Sequence, residues 1–158
     1  MMAEGSSAPT VEIDGLLRRL DEARAALMQG LQGCDPARFA VEAGEGESIK
    51  RTLERTADDV NFYYGRLVAR AMKLPQPPCL ARAEFSSLRE ATVSLQVAER
   101  RFSNLLHDLV QSDLEREAAD PELGTYSMRQ ILEMATAHYA LRTQQVSRIR
   151  TETAGATK

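Results

Sequence analysis

Residues 126–150 read YSMRQILEMATAHYALRTQQVSRIR. Their apolar spacing predicts a helix whose packing stripe runs Met128, Ile131, Ala135, His138, Arg142, Gln145 and Ile149, three and four residues apart. The two ends of that stripe are what a bundle helix buries. The middle is not: a histidine, an arginine and a glutamine in succession call for a polar pocket or an internal salt-bridge network, because an unpaired buried charge costs several kcal/mol. Glu99, Asp58, Asp59 and Glu54 are carboxylates open to Arg142 as partners.

Working outward, three more long amphipathic segments appear. Residues 1–9 are small and polar and are expected to be disordered. A first helix is predicted from about Thr10 to Gly33, with Ile13, Leu16, Leu20, Ala23, Leu27 and Leu31 on one face. A Gly-rich connector (33–46) leads to a second helix, from Glu47-Ser48 to about Lys73. Its stripe is Ile49, Leu53, Thr56, Val60, Tyr64, Leu67 and Ala71, with Ala57 and Val68 beside it. Pro75, Pro77 and Pro78 end that helix. The ten-residue link that follows reaches roughly 33–36 Å when extended, so the third helix can run either way relative to the second. That helix, about Glu84–Leu114, repeats Leu88, Leu95, Phe102 and Leu109 every seventh residue. Residues 115–125 are expected to form a connector containing a helical turn. The fourth helix starts at Tyr126 and frays past Arg150 into a flexible tail, 151–158. The sum is an all-α domain over residues 10–150, a four-helix bundle.

Composition narrows the function classes. The chain has 158 residues, 43% hydrophobic and 27% charged, enough for one buried core. With 5% aromatics and no Trp, that core is aliphatic. Net charge is −3 and the 20 basic residues are interleaved with acids, so no nucleic-acid face is expected. Neither a signal-length apolar run nor eighteen consecutive apolar residues occur, which predicts a cytoplasmic protein without membrane contact. Cys34 and Cys79 fall at opposite ends of a second helix roughly 40 Å long, too far apart for a disulfide.

His138 alone on a helix face reads first as a hydrogen-bonded core or edge residue. Metal binding needs three or four ligands at helical spacing, and the natural second position holds Arg142, which cannot ligate. His107 falls off its helix stripe and reads as exposed. Tyr63 and Tyr64 read as one buried and one edge residue. No catalytic triad, phosphate loop or CxxC pair is present.

Two segments carry a family resemblance. SIKRTLERTADDVNFYYGRL and YSMRQILEMATAHYALRTQQV resemble the helix 2 and helix 4 motifs of the DinB-like (DinB/YfiT-like) four-helix bundles, with His138, Gln145 and Val146 in register. The likeness covers about residues 10–150. It implies an up-down-down-up bundle, a homodimer, and a divalent metal, zinc or nickel, held by three histidines in metal-dependent hydrolases or thiol-dependent transferases. Carried onto this sequence, the triad falls on Arg55, His138 and Arg142, so two of three ligands are missing and no metal is expected. The tryptophan that often precedes the helix 2 motif is Glu47 here.

The expectation is therefore a DinB-like bundle that has lost its metal site, binding a small anionic ligand among Arg55, Asp59, His138, Arg142 and Gln145. One alternative is a hydrolase or thiol transferase with a rebuilt zinc or nickel site, using His138 with Asp59 or Glu54. Another is a non-catalytic dimeric interaction module, with Val97, Leu106 and Leu114 as leftover apolar positions.

Overall fold

Serines set the starts of three helices. Ser48 and Ser87 stand in extended conformation, and their hydroxyls accept the N–H groups of Arg51 and Glu90, each at 3.0 Å. Glu90 reaches back to the Ser86 hydroxyl at 2.8 Å. Ser127 and Gln130 close a reciprocal capping box: Gln130 N–H donates to Ser127 Oγ (3.1 Å) and Ser127 N–H to Gln130 Oε1 (2.8 Å). These caps answer the orphan N–H groups of each first turn, and so decide where the rods begin.

The computed structural model describes residues 7–75 and 81–154. Helix α1 is Ser7–Gln32; α2 is Ile49–Asp59; α3 is Gly65–Ala71; α4 is Leu88–Leu106; α5 is Met128–Ala154. A π-helical turn, Val60–Tyr64, joins α2 to α3 without a break, so these three pieces make one rod of four among the described residues. Lys73, in left-handed backbone (φ 57°), ends that rod. There Leu74 N–H returns to the Ala69 carbonyl at 2.8 Å, as in a Schellman cap. The fold is an all-α four-helix bundle with one small addition, a hairpin of β1 (Glu117–Asp120) and β2 (Gly124–Ser127).

Side-chain contacts give the direction of each rod. Arg129 meets Glu12 near the starts of α5 and α1, and Arg150 donates to the Gly30 carbonyl near their ends, so α1 and α5 are parallel. Tyr63 meets Tyr126 while Ile49 lies beside Arg150, so the α2–α3 rod is antiparallel to α5. Glu54 accepts from Phe85 N–H and Asn61 from Arg101, so α4 is parallel to α2. The order is up-down-down-up.

The core is mainly aliphatic, with Phe39, Tyr64, Phe85, Phe102 and Tyr139 buried in it, and the predicted stripe of the second helix is buried throughout. Leu106 and Leu114 belong to this core at 6% and 0% exposure and are not leftover surface; Val97 is exposed. Other expectations need correction. Helix α1 opens at Ser7, three residues before Thr10. The third helix is shorter than Glu84–Leu114: Ser87 starts it late, and past Leu106 the chain tightens into a 3₁₀ turn, Gln111–Glu115, that still buries Leu109 and Leu114. Residues 115–125 hold strand pairing, not a helical turn, and Tyr126 belongs to β2. Helix α5 does not fray at Arg150; Thr153 is buried, and its carbonyl accepts from Arg38. No helix among the described residues is long and apolar enough to cross a membrane. Cys79, half of the thiol pair considered above, lies outside the described residues.

Candidate functional site

The middle of α5 faces the π turn, and the phase of both elements decides what meets there. On the second rod, Thr56, Val60 and Tyr64 are successive steps of four. Each step overshoots a 3.6-residue turn by about 40°. A π turn needs more residues per turn, which returns Tyr64 to the inward face. Gly65 permits it, since a Cβ there would sit 2.8 Å from the Val60 carbonyl oxygen, the acceptor of Gly65's own N–H.

On α5 the buried positions are Met128, Ile131, Leu132, Ala135, Tyr139, Val146, Ile149 and Thr153. The predicted stripe is therefore correct at its ends and one residue off in the middle. Tyr139 and Val146 take the interior; His138 and Gln145 move to the flank. The step from Ala135 is four residues, not three, and it places an aromatic ring inward in preference to an imidazole. His138 keeps 46% of its side chain exposed, whereas Arg142 keeps only 13%.

Arg142 is the centre of the cluster. Its Nη2 donates to Asp59 Oδ2 at 3.0 Å and its Nη1 to Gln145 Oε1 at 3.0 Å. Asp59 also lies 3.9 Å from His138 Nδ1. The Tyr64 hydroxyl is hydrogen-bonded to that same Nδ1, with the two rings edge to face at 5.3 Å. Behind it, the Tyr63 hydroxyl meets that of Tyr126 at 3.4 Å. Tyr63 is the edge tyrosine and Tyr64 the buried one, and His107 is exposed, as expected. The structure thus brings Asp59, His138, Arg142 and Gln145 together and adds Tyr64. It leaves Arg55 out: that guanidinium turns to Glu47 at 3.2 Å on an exposed face of α2, because position 55 lies outside the buried stripe. The three-residue convergence of Arg55, His138 and Arg142 does not form.

Both tyrosines hold their protons tightly. Burial, then the charge of Asp59, pushes the Tyr64 phenol up; burial and the Tyr126 hydroxyl raise Tyr63 to about 12. They are hydrogen-bond donors at ordinary pH, not bases. The void among Thr56, Asp59, Val60, Tyr64, Ala135, His138, Tyr139 and Arg142 measures about 10 Å³, room for one water at most. Arg142 Nε is buried there without a protein partner, a suitable donor to such a water.

A divalent cation does not fit this donor set. Among the described residues no three His, Cys, Asp or Glu side chains are grouped to hold one. The guanidinium already supplies the positive charge that Asp59 faces, and it has no lone pair to offer. Glu54, the other carboxylate considered for a rebuilt site, is engaged by Lys50 and by the Phe85 N–H.

Two features escaped the sequence. Glu99, open above as a partner for Arg142, is 4% exposed and instead accepts from the Tyr139 hydroxyl. Burial pushes its carboxyl up to about 7, against the pull of Arg24. The other is Asp120, whose carboxylate takes Arg66 Nε (2.7 Å) and Nη2 (3.1 Å) and the N–H groups of Glu122 and Leu123. An acid before a proline signals a turn, but gives no hint of the arginine that a distant helix brings. Comparison with protein-family models finds no match, and comparison with curated proteins finds none either.

Proposed function

We propose that this chain is a DinB-like bundle in which an internal ion pair has taken the place of metal chemistry, leaving a non-catalytic module. The single observation that carries the reading is the Arg142–Asp59 contact at 3.0 Å, at the helix 4 position where the resemblance would put a ligand histidine. A guanidinium there offers charge without coordination. The up-down-down-up order of the rods agrees with the resemblance. The Tyr64 hydroxyl stands beside the His138 ring, but burial and the charge of Asp59 hold its proton, which argues against its use as a nucleophile.

Zinc and nickel content of protein purified without a histidine tag tests this. The reading expects far less than one metal per chain; a stoichiometric amount that survives dialysis overturns it in favour of the hydrolase or thiol-transferase alternative.

One observation favours a second reading, in which the cluster admits a small anion: Arg142 Nε is buried and without a protein partner. A void of about 10 Å³ is too small for a carboxylate, so the anion would have to displace the Asp59 carboxylate from Arg142. Under this reading Asp59→Asn tightens acetate binding in a calorimetric titration. Absence of binding to both wild type and variant removes it.

A further inference from the structure

Away from that cluster, α1 and α4 leave a groove of about 440 Å³ between them, lined in part by Arg24, Gln96, Glu99, Arg100, Ser103 and Asn104. Its floor is unusual. Glu99 is 4% exposed, one of its oxygens accepts from Tyr139, and the other, Oε2, is buried with no partner. A buried carboxylate with a single neutral donor is costly to keep charged. Once protonated, its free oxygen becomes a hydroxyl donor for which the protein provides no acceptor. Glu99 lines the groove, so an acceptor seated there meets the free oxygen once the carboxyl turns outward, and the two guanidiniums of the groove select for negative charge.

We propose that this groove binds a small oxyanion, held by Arg24, Arg100 and the otherwise unpartnered carboxyl of Glu99. The charged and titratable groups around Glu99 are Arg24 from α1 (itself 3.4 Å from Asp21), Arg100 from α4 and Tyr139 from α5. With Glu99 neutral, the two arginines outnumber the single Asp21. Gln96, Ser103 and Asn104 add side-chain donors along the rim. Binding takes up one proton from the solvent onto Glu99, and by reciprocity the bound anion raises the affinity of Glu99 for that proton. The groove shares only Tyr139 with the surroundings of Asp59 and Arg142, and neither arginine of the groove touches that pair.

The probe is inorganic sulfate, whose charge is constant between pH 6 and pH 8, titrated calorimetrically into the full chain. With the Glu99 carboxyl near 7, the binding-competent fraction falls about tenfold across that interval, and apparent affinity falls with it. At pH 8 the heat should depend on the ionisation enthalpy of the buffer, reporting proton uptake. Glu99→Gln retains a donor at the same place, so it should bind sulfate with no pH slope. Arg100→Ala, on an exposed position, should abolish binding at pH 6 without lowering the melting temperature. Three results each overturn the proposal: no saturable binding to wild type at pH 6, unchanged binding to the Arg100→Ala chain, or a wild-type pH slope in the Glu99→Gln chain.

Discussion

At the scale of single residues, two positions behave against the usual expectation for their residue type. Gly→Ala inside a helix normally stabilises by about 0.5–1 kcal/mol. At Gly65 the new Cβ would meet the Val60 carbonyl at 2.8 Å, so Gly65→Ala is expected to destabilise by about 1–2 kcal/mol in urea unfolding; a gain in stability would show that the π turn is not held. Glu99 is the second. Its folded-state carboxyl is raised to about 7 from 4.5, so the folded chain binds that proton more tightly than the unfolded one. The stability this proton carries is complete below pH 4.5, declines as pH rises and is gone above pH 7. Glu99→Gln removes the slope, and at pH 8 it should be the more stable chain by something on the order of 2–3 kcal/mol. Parallel pH curves for the two chains would contradict this. Neither residue was legible beforehand. Sequence periodicity locates a helix face to within a residue, whereas a π turn and a half-satisfied carboxyl depend on what the neighbouring rod brings.

At the scale of elements, the second helix was read from its capping serine, whereas Ser87 starts the third at Leu88 instead of Glu84 and Ser127 the fourth at Met128 instead of Tyr126. The end of the third helix was misread because Leu109 and Leu114 continue a leucine spacing beyond α4; Leu114 is buried from a 3₁₀ turn and Leu109 from the link before it. The hairpin was missed because its strands are only four residues each, too short for alternation to show. Asp120 holds it to α3: the carboxyl is completely buried and bound by Arg66 through two nitrogens, with Arg70 Nε 3.7 Å away. Burial would push this carboxyl up, but the Glu122 and Leu123 N–H groups and the Arg66 charge outweigh it and hold it below the usual carboxylate range. The contribution of Asp120 to stability is therefore present above the ordinary carboxylate pKa and lost as pH falls through the depressed one. Asp120→Ala is expected to cost about 2–3 kcal/mol and to speed amide exchange in residues 117–127 before the rest. Uniform exchange across the bundle would mean that the hairpin has no separate anchor.

At the scale of the whole molecule, aliphatic composition and four amphipathic stripes were enough to read a four-helix bundle, and the long link after the second helix left room for the parallel arrangement of α2 and α4. The site was half legible. That α5 carries polar residues at its centre was plain; that Arg142 would choose Asp59 over Glu99, Asp58 or Glu54, and that Arg55 would face Glu47, depended on side-chain directions set by burial of Tyr139 and Tyr64. The account as a whole depends on the Arg142–Asp59 pair joining α5 to α2. A double-mutant cycle with Asp59→Asn, Arg142→Met and both together, followed by urea unfolding at pH 7, measures that link directly. The predicted coupling energy is about 1–2 kcal/mol; effects that simply add, with coupling indistinguishable from zero, would contradict it.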